Sequence, residues 1–87
     1  MSLLTRTECN VIIASLTERI DMYQNKVSIL LDQQAKTESK LKEYKEGDEM
    51  YEALSVALKE IKRFITGYER STQHHEALRE KIRRLKP

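Results

Sequence analysis

The sequence is poor in the residues that build turns, sheets and large cores. Its 87 residues include two glycines, one proline, one cysteine and no tryptophan, and aromatic residues make up only 6%. Because residues that favour turns and strands are so few, the composition argues against a β or α/β fold. The lone Cys9 excludes an internal disulfide and is expected to be a small buried hydrophobe. The composition predicts a single all-α domain with a thin core.

Further absences exclude classes of function. The sequence has no glycine-rich phosphate loop, no Ser-His-acid constellation and no paired carboxylates, and a helical rod has no cleft to hold them. We therefore expect no enzymatic activity, no cofactor and no metal. No apolar stretch is long enough for a membrane span or a signal peptide, which predicts a cytoplasmic protein. A formal charge of +2 makes nucleic acid an unlikely partner.

What the sequence does have is a long heptad pattern. From Cys9 the first half steps by four and three residues through Ile13, Leu16, Ile20, Tyr23, Val27 and Leu30 to Leu41 and Tyr44. Thr5 and Glu8 have the spacing of a capping box, with Leu4 and Cys9 placed as a hydrophobic staple. These signals predict a first helix over about 5–46.

The only turn signal is Gly47-Asp48, in which glycine can close one helix and aspartate can cap the next. A second helix is predicted over about 49–86. Its expected stripe runs through Met50, Leu54, Ala57, Ile61, Phe64, Tyr68, Ser71, His75, Leu78, Ile82 and Leu85.

The two stripes match as an antiparallel hairpin, because facing residue numbers keep a nearly constant sum. Examples are Leu30 with Phe64, Tyr23 with Ser71, Leu16 with Leu78 and Cys9 with Leu85. Each helix would be roughly 55 to 60 Å long. A parallel two-stranded coiled coil between chains stays open, because β-branched residues alternate with leucine in the first helix.

A second, narrower stripe predicts a partner surface. Tyr51, Leu58 and Ile65 widen the apolar side of helix 2, and Leu31 and Ala35 lie on the facing flank of helix 1. Such a patch is expected to form an interface. Two occupants stay open: a second copy, which would complete a four-helix bundle, and a groove of another protein.

Two other features favour structural roles. His74 and His75 point about 100° apart on a helix and cannot chelate one metal, so His75 is expected to form a polar layer between the helices. The tail 79–86 is basic, and cations are favoured near a helix C-terminus.

Several segments resemble the small co-chaperones of type III secretion needle subunits, the YscE/SsaE type. The similarity covers about a third of the chain: the opening 1–8, Gly47-Asp48 with Tyr51, and Glu52-Ala53-Leu54 with Ala57, Ile61, Phe64-Ile65 and Tyr68. Members of that family are short bacterial cytoplasmic hairpins. They pair with a tetratricopeptide-like chaperone, and the pair keeps the needle subunit soluble before export.

The resemblance implies a chaperone function and a partner-binding surface. The residues expected at a tetratricopeptide-like partner are Leu54, Leu58, Ile61, Ile65 and Tyr68, with support from Leu31. Residues 70–87 extend beyond the family's usual length. The alternative function is a homodimeric helical-bundle regulator that uses Arg83 and Arg84 on nucleic acid, and an inhibitor acting through the same apolar surface also stays open.

Overall fold

The chain forms an antiparallel hairpin of two long helices in a computed structural model that describes residues 4–86. Helix α1 spans Arg6–Leu41 and helix α2 spans Glu49–Leu85, with no strand in the described residues. The molecule measures 64 × 16 × 13 Å. Its radius of gyration is 19.4 Å, whereas a compact domain of this length has about 12 Å. The predicted all-α hairpin is confirmed; residues 1–3 of the opening segment and residue 87 lie outside the description.

Helix α1 begins with the predicted capping box. The Glu8 backbone N–H donates to Thr5 Oγ1 at 3.1 Å, and the Thr5 backbone N–H donates to Glu8 Oε1 at 3.0 Å. These two bonds satisfy amide donors that have no partner within the helix. The hydrogen bonds from Thr5 also favour the carboxylate form and lower the pKa of Glu8. One turn on, Cys9 is fully buried, as expected.

The connection between the helices is longer than the two residues expected. Helix α1 ends at Leu41 instead of near 46, and its last turn tightens as the Tyr44 N–H donates to the Leu41 carbonyl at 3.2 Å. The Asp48 N–H then donates to the Lys45 carbonyl at 3.1 Å, closing a turn in which Gly47 has φ 95°. Gly47 therefore makes the turn rather than closing the helix. Asp48 caps α2 by accepting from the Met50 N–H at 2.9 Å, as expected.

The face of α1 that meets α2 is the predicted one. Cys9 and Ile20 are buried, and the half-buried residues between and beyond them follow the same four-and-three spacing. The register along the rod also agrees. The Tyr23 ring lies 5.9 Å from the Tyr68 ring and 5.2 Å from His75, so it faces the turn of α2 around Ser71.

The face of α2 that meets α1 is rotated slightly from the prediction: alternate interface positions move by one residue, while Leu54, Ile61, Tyr68, His75 and Ile82 stay on the interface as expected. Ile65 is buried at 7% exposure, whereas its neighbour Phe64 is 55% exposed. Leu78 and Leu85 are also exposed. The expectation that these three exposed residues pack in layers against α1 is therefore wrong. The interface instead follows a stripe through Tyr51, Leu54, Leu58, Ile61, Ile65, Tyr68, Thr72, His75, Arg79 and Ile82, all buried or half-buried.

The rotation follows from what each of the two adjacent stripes offers for burial. Near the turn the observed stripe has Tyr51 and Leu58 where the predicted stripe has the smaller Met50 and Ala57, and only at Phe64 and Ile65 is the smaller apolar side chain the buried one. Farther from the turn the interface becomes polar, and Arg79 Nη1 donates to Thr17 Oγ1 across the helices at 3.2 Å. A continuous helix cannot turn both stripes inward, and the interface follows the one with the larger side chains near the turn.

Candidate functional site: an exposed apolar face

The rotation of α2 leaves an apolar face on one side of the hairpin, which we call the Phe64 face. Its exposed apolar residues are Met22, Ile29, Phe64 and Leu78. Met22 and Ile29 are seven residues apart in α1, and Phe64 and Leu78 are fourteen apart in α2, so each pair shares one side of its helix. The helices bring Ile29 and Phe64 to the same cleft. Large apolar side chains thus remain in solvent on one side of the rod.

The centre of the Phe64 face is an open cleft of about 260 Å³ between the helices. Ile29 and Leu30 line it from α1, and Phe64 and Tyr68 line it from α2. Lys26 and Gln33 supply the polar edge. The walls are therefore mainly apolar, and the cleft contains a cation but no carboxylate.

Lys26 sets the charge of this cleft. Its Nζ lies 5.4 Å from the centre of the Tyr68 ring, within range of a cation–π interaction. Among the described residues Lys26 forms no salt bridge, because the ion pairs found are Lys36–Asp32 and Arg63–Glu60. The positive charge at the cleft is therefore not neutralised by a carboxylate of the hairpin.

Gly67 opens the face next to Phe64. It borders a second depression together with Phe64, Tyr68, Ser71 and the charged residues Glu60 and Arg63, one helical turn along α2. A side-chain carbon built at Gly67 would meet no atom within 4 Å, so this glycine is not required by packing within the hairpin. A glycine in a helix interior costs about 1 kcal/mol relative to alanine. Its effect here is to lower the surface beside the Phe64 ring.

The opposite side of the hairpin is more polar. Leu31 is 50% exposed there, but the residues around it include Gln24, Glu69, Gln73 and Glu76. The two sides therefore differ in both polarity and charge. The cleft of the Phe64 face combines apolar residues with the cation Lys26, and the Glu60–Arg63 pair borders the adjacent depression. The Leu31 side combines one large exposed apolar residue with two carboxylates, Glu69 and Glu76.

The residues predicted to bind a partner are divided between the helix interface and the surface. Ile65 is buried, which corrects its expected place in an exposed patch with Leu31 and Ala35. Tyr51 and Leu58 are half-buried on the same inward stripe. Leu54, Ile61 and Tyr68 are half-buried as well, and only Leu31 and Ala35 are exposed.

The sequence pattern did not predict that Phe64, Ile29 and Met22 form one exposed apolar face. It assigned Phe64 to the helix interface, and it assigned Ile29 and Met22 to neither of the two expected apolar stripes. One signal could have identified them: Met22, Ile29 and Phe64 fall on one side of the hairpin once the α2 interface is drawn through Leu58 and Ile65 rather than Ala57 and Phe64. Which of the two adjacent α2 stripes is assigned to the interface therefore determines which apolar residues are predicted to be exposed.

Within the helix interface, His75 has the polar role expected of it. Its Nδ1–H donates to the Ser71 carbonyl at 2.7 Å, and its ring meets Tyr23 edge-on. Over residues 4–86 no group of three or more His, Cys, Asp or Glu side chains is arranged to hold a metal ion. Neither of the two helices described is apolar enough over its length to cross a membrane.

Comparison with known proteins adds no relative: the chain matches no protein-family model, no curated protein and no solved structure. Two features of the molecule therefore bear on its function: the Phe64 face, and the short sequence segments that resemble needle-subunit co-chaperones.

Proposed function

We propose that this protein is a non-enzymatic, partner-dependent helical hairpin that acts as a type III secretion co-chaperone. In this role it would pair with a tetratricopeptide-like chaperone, and the pair would keep a needle subunit soluble before export. One structural observation carries the binding part of the proposal: the Phe64 face exposes large apolar side chains, whereas only Cys9, Ile20 and Ile65 are buried hydrophobic residues among those described.

The thin core supports a partner-dependent role on energetic grounds. A two-helix rod has only one helix interface, so it buries little apolar surface for each residue that it orders. A partner that binds only the folded hairpin stabilises it by mass action. Covering the Phe64 face would supply apolar burial that the hairpin alone does not have. Binding and folding would therefore support each other.

The assignment to needle-subunit chaperones rests on the sequence resemblance. Within the resembling segments, Leu54, Ile61 and Ile65 face α1, whereas Phe64 faces outward. We therefore place the partner contact on the Phe64 side rather than on the Ile65 side. The role fits a thin hairpin, because a self-polymerising subunit needs its apolar surface covered by proteins that are released at export.

The test is a pull-down of the tagged chain from its native host, followed by mass spectrometry. The Phe64→Asp variant is compared with Leu31→Asp, which places the same charge at a similarly exposed residue on the opposite side. We expect a tetratricopeptide-like protein and a small helical filament subunit with the native chain and with Leu31→Asp, but not with Phe64→Asp. Recovery of the chain alone, or with nucleic acid, would contradict the chaperone function.

A further inference from the structure

The chemistry of the Phe64 face specifies the kind of partner that it fits. We propose that this face is the docking site of one amphipathic helix of a partner protein. The helix would place its apolar stripe over Ile29 and Phe64, and its edge over Lys26 would be acidic. This inference deepens the proposed function, because it assumes that the hairpin binds another protein, but it does not depend on which secretion component that protein is.

The shape of the face favours a helix. The central cleft runs between two nearly antiparallel helices and is lined by apolar side chains from both, which is the arrangement that receives a row of side chains at helical spacing. Gly67 and Ser71 are small residues four apart beside Phe64, so the backbone of an incoming helix can approach α2 closely there. The exposed residues continue along the rod to Met22 and Leu78, a length that suits several helical turns.

The charge of the face favours an acidic edge on that helix. Lys26 has no carboxylate partner within the described residues, and Arg63 is already paired with Glu60 at 3.8 Å. A carboxylate on the partner could reach Lys26 while its apolar neighbours cover Tyr68, where the ammonium group already lies. A basic edge would instead place like charges together beside an apolar surface, which is unfavourable.

The same charge argues against a second copy of this chain as the occupant. A two-fold symmetric contact pairs each surface with itself, so a dimer centred on the cleft would bring the two Lys26 side chains together. No carboxylate lines the cleft to offset that repulsion, and Glu60, which borders the adjacent depression, is already paired with Arg63 at 3.8 Å. Self-association is therefore the outcome that the following test must exclude.

The direct test uses synthetic helical peptides of about 20 residues, a length at which a designed helix is stable enough to compare. Three peptides share one leucine stripe and differ only in the edge beside it, which carries glutamate, glutamine or lysine. Binding to the full chain is measured by fluorescence anisotropy at low and high salt. We expect the acidic peptide to bind roughly threefold to fivefold more tightly than the neutral one, the basic peptide to bind most weakly, and the differences to shrink at high salt.

Charge reversal makes the test specific to Lys26. The Lys26→Glu variant should reverse the order of the three peptides, whereas Lys62→Glu, an exposed lysine on the other side of α2, should leave it unchanged. Phe64→Asp should abolish binding of all three peptides, and Leu31→Asp should not. Gly67→Leu should also block binding without loss of helical circular dichroism, because space around Gly67 is open.

Three results would overturn the inference. One is equal affinity for the acidic and basic peptides, and another is binding that survives Phe64→Asp. The third is a concentration-dependent dimer in sedimentation that Phe64→Asp dissolves, since the face would then be occupied by a second copy. These results are distinguishable from failure of the proposed function: peptides can bind as expected while no secretion protein co-purifies, and the reverse can also occur.

Discussion

The most direct test of the helix interface compares two single alanine variants at adjacent residues of α2. Ile65 is buried against α1, whereas the Phe64 side chain next to it lies mostly in solvent. We expect Ile65→Ala to reduce the free energy of unfolding strongly and Phe64→Ala to change it little. The sequence pattern read as a plain heptad predicts the opposite, because it places Phe64 in the helix interface.

The magnitudes follow from burial. Truncating a buried isoleucine to alanine costs about 2 to 5 kcal/mol, and a two-helix interface that can close around the gap should lie near the lower end. Truncating Phe64 removes only partly buried surface, and alanine is the better helix former by roughly 0.5 kcal/mol. We therefore expect about 2 to 3 kcal/mol for Ile65→Ala and less than about 1 kcal/mol for Phe64→Ala.

Urea unfolding followed by circular dichroism measures both values, and it should be run at two protein concentrations tenfold apart. A thermal melt gives a second comparison: for a domain of this size, a loss of 1 kcal/mol in unfolding free energy lowers the melting temperature by about 4 to 8 °C, so the two variants are easily distinguished. Equal losses in the two variants, or a larger loss for Phe64→Ala, would refute the rotated interface. A loss for Phe64→Ala that grows with protein concentration would show that self-association covers the Phe64 face.

Three further predictions concern the helix ends and the glycines. Gly67→Ala should raise the unfolding free energy by roughly 0.5 to 1 kcal/mol, because the added methyl group has open space, whereas Gly47→Ala should lower it, because φ at residue 47 is positive; thermal melts measure both. Thr5→Ala should cost about 1 kcal/mol through loss of the helix cap, measured in urea. Because folding lowers the pKa of Glu8, its contribution is fully present above the ordinary glutamate pKa of about 4.3 and is lost as the pH falls through the lower folded value. Urea titrations at neutral and acid pH measure this loss of unfolding free energy, and Glu8→Gln should make the loss smaller. The same pH dependence in Glu8→Gln and in the native chain would contradict a contribution from Glu8.

The sequence predicted the elements of the fold because their signals are local. The box at Thr5 and Glu8 and the cap at Asp48 depend on neighbours within one turn, and both are present. The α1 stripe was also clear, since polar residues flank most of it. The α2 stripe was ambiguous because apolar residues occupy adjacent positions, as at Phe64 and Ile65. Periodicity alone cannot choose between two such positions, since the choice depends on packing against α1.

The same ambiguity explains why the candidate site was harder to predict than the fold. In a two-helix rod any residue that does not face the other helix is exposed, so a small rotation of α2 exchanges interface and surface at alternate positions, as between Phe64 and Ile65, while Leu54 and Ile61 stay inward. Drawing the interface through Phe64 places the exposed patch at Tyr51, Leu58 and Ile65, beside Leu31. Drawing it through Ile65 places the patch on the other side, beside Ile29 and the unpaired Lys26.

Because Ile65 lies in the helix interface and Phe64 lies on the surface, a substitution at Phe64 reports on partner binding and one at Ile65 reports on folding. An aspartate at Ile65 would bury a charge against α1 and unfold the hairpin, so every partner would be lost whether or not it contacts that residue. An aspartate at Phe64 leaves the helix interface intact and charges only the exposed face. If Phe64→Asp keeps the helical circular dichroism of the native chain and loses its partner, the loss is one of contact rather than of folding. Loss of helical signal in Phe64→Asp itself would mean that Phe64 belongs to the helix interface.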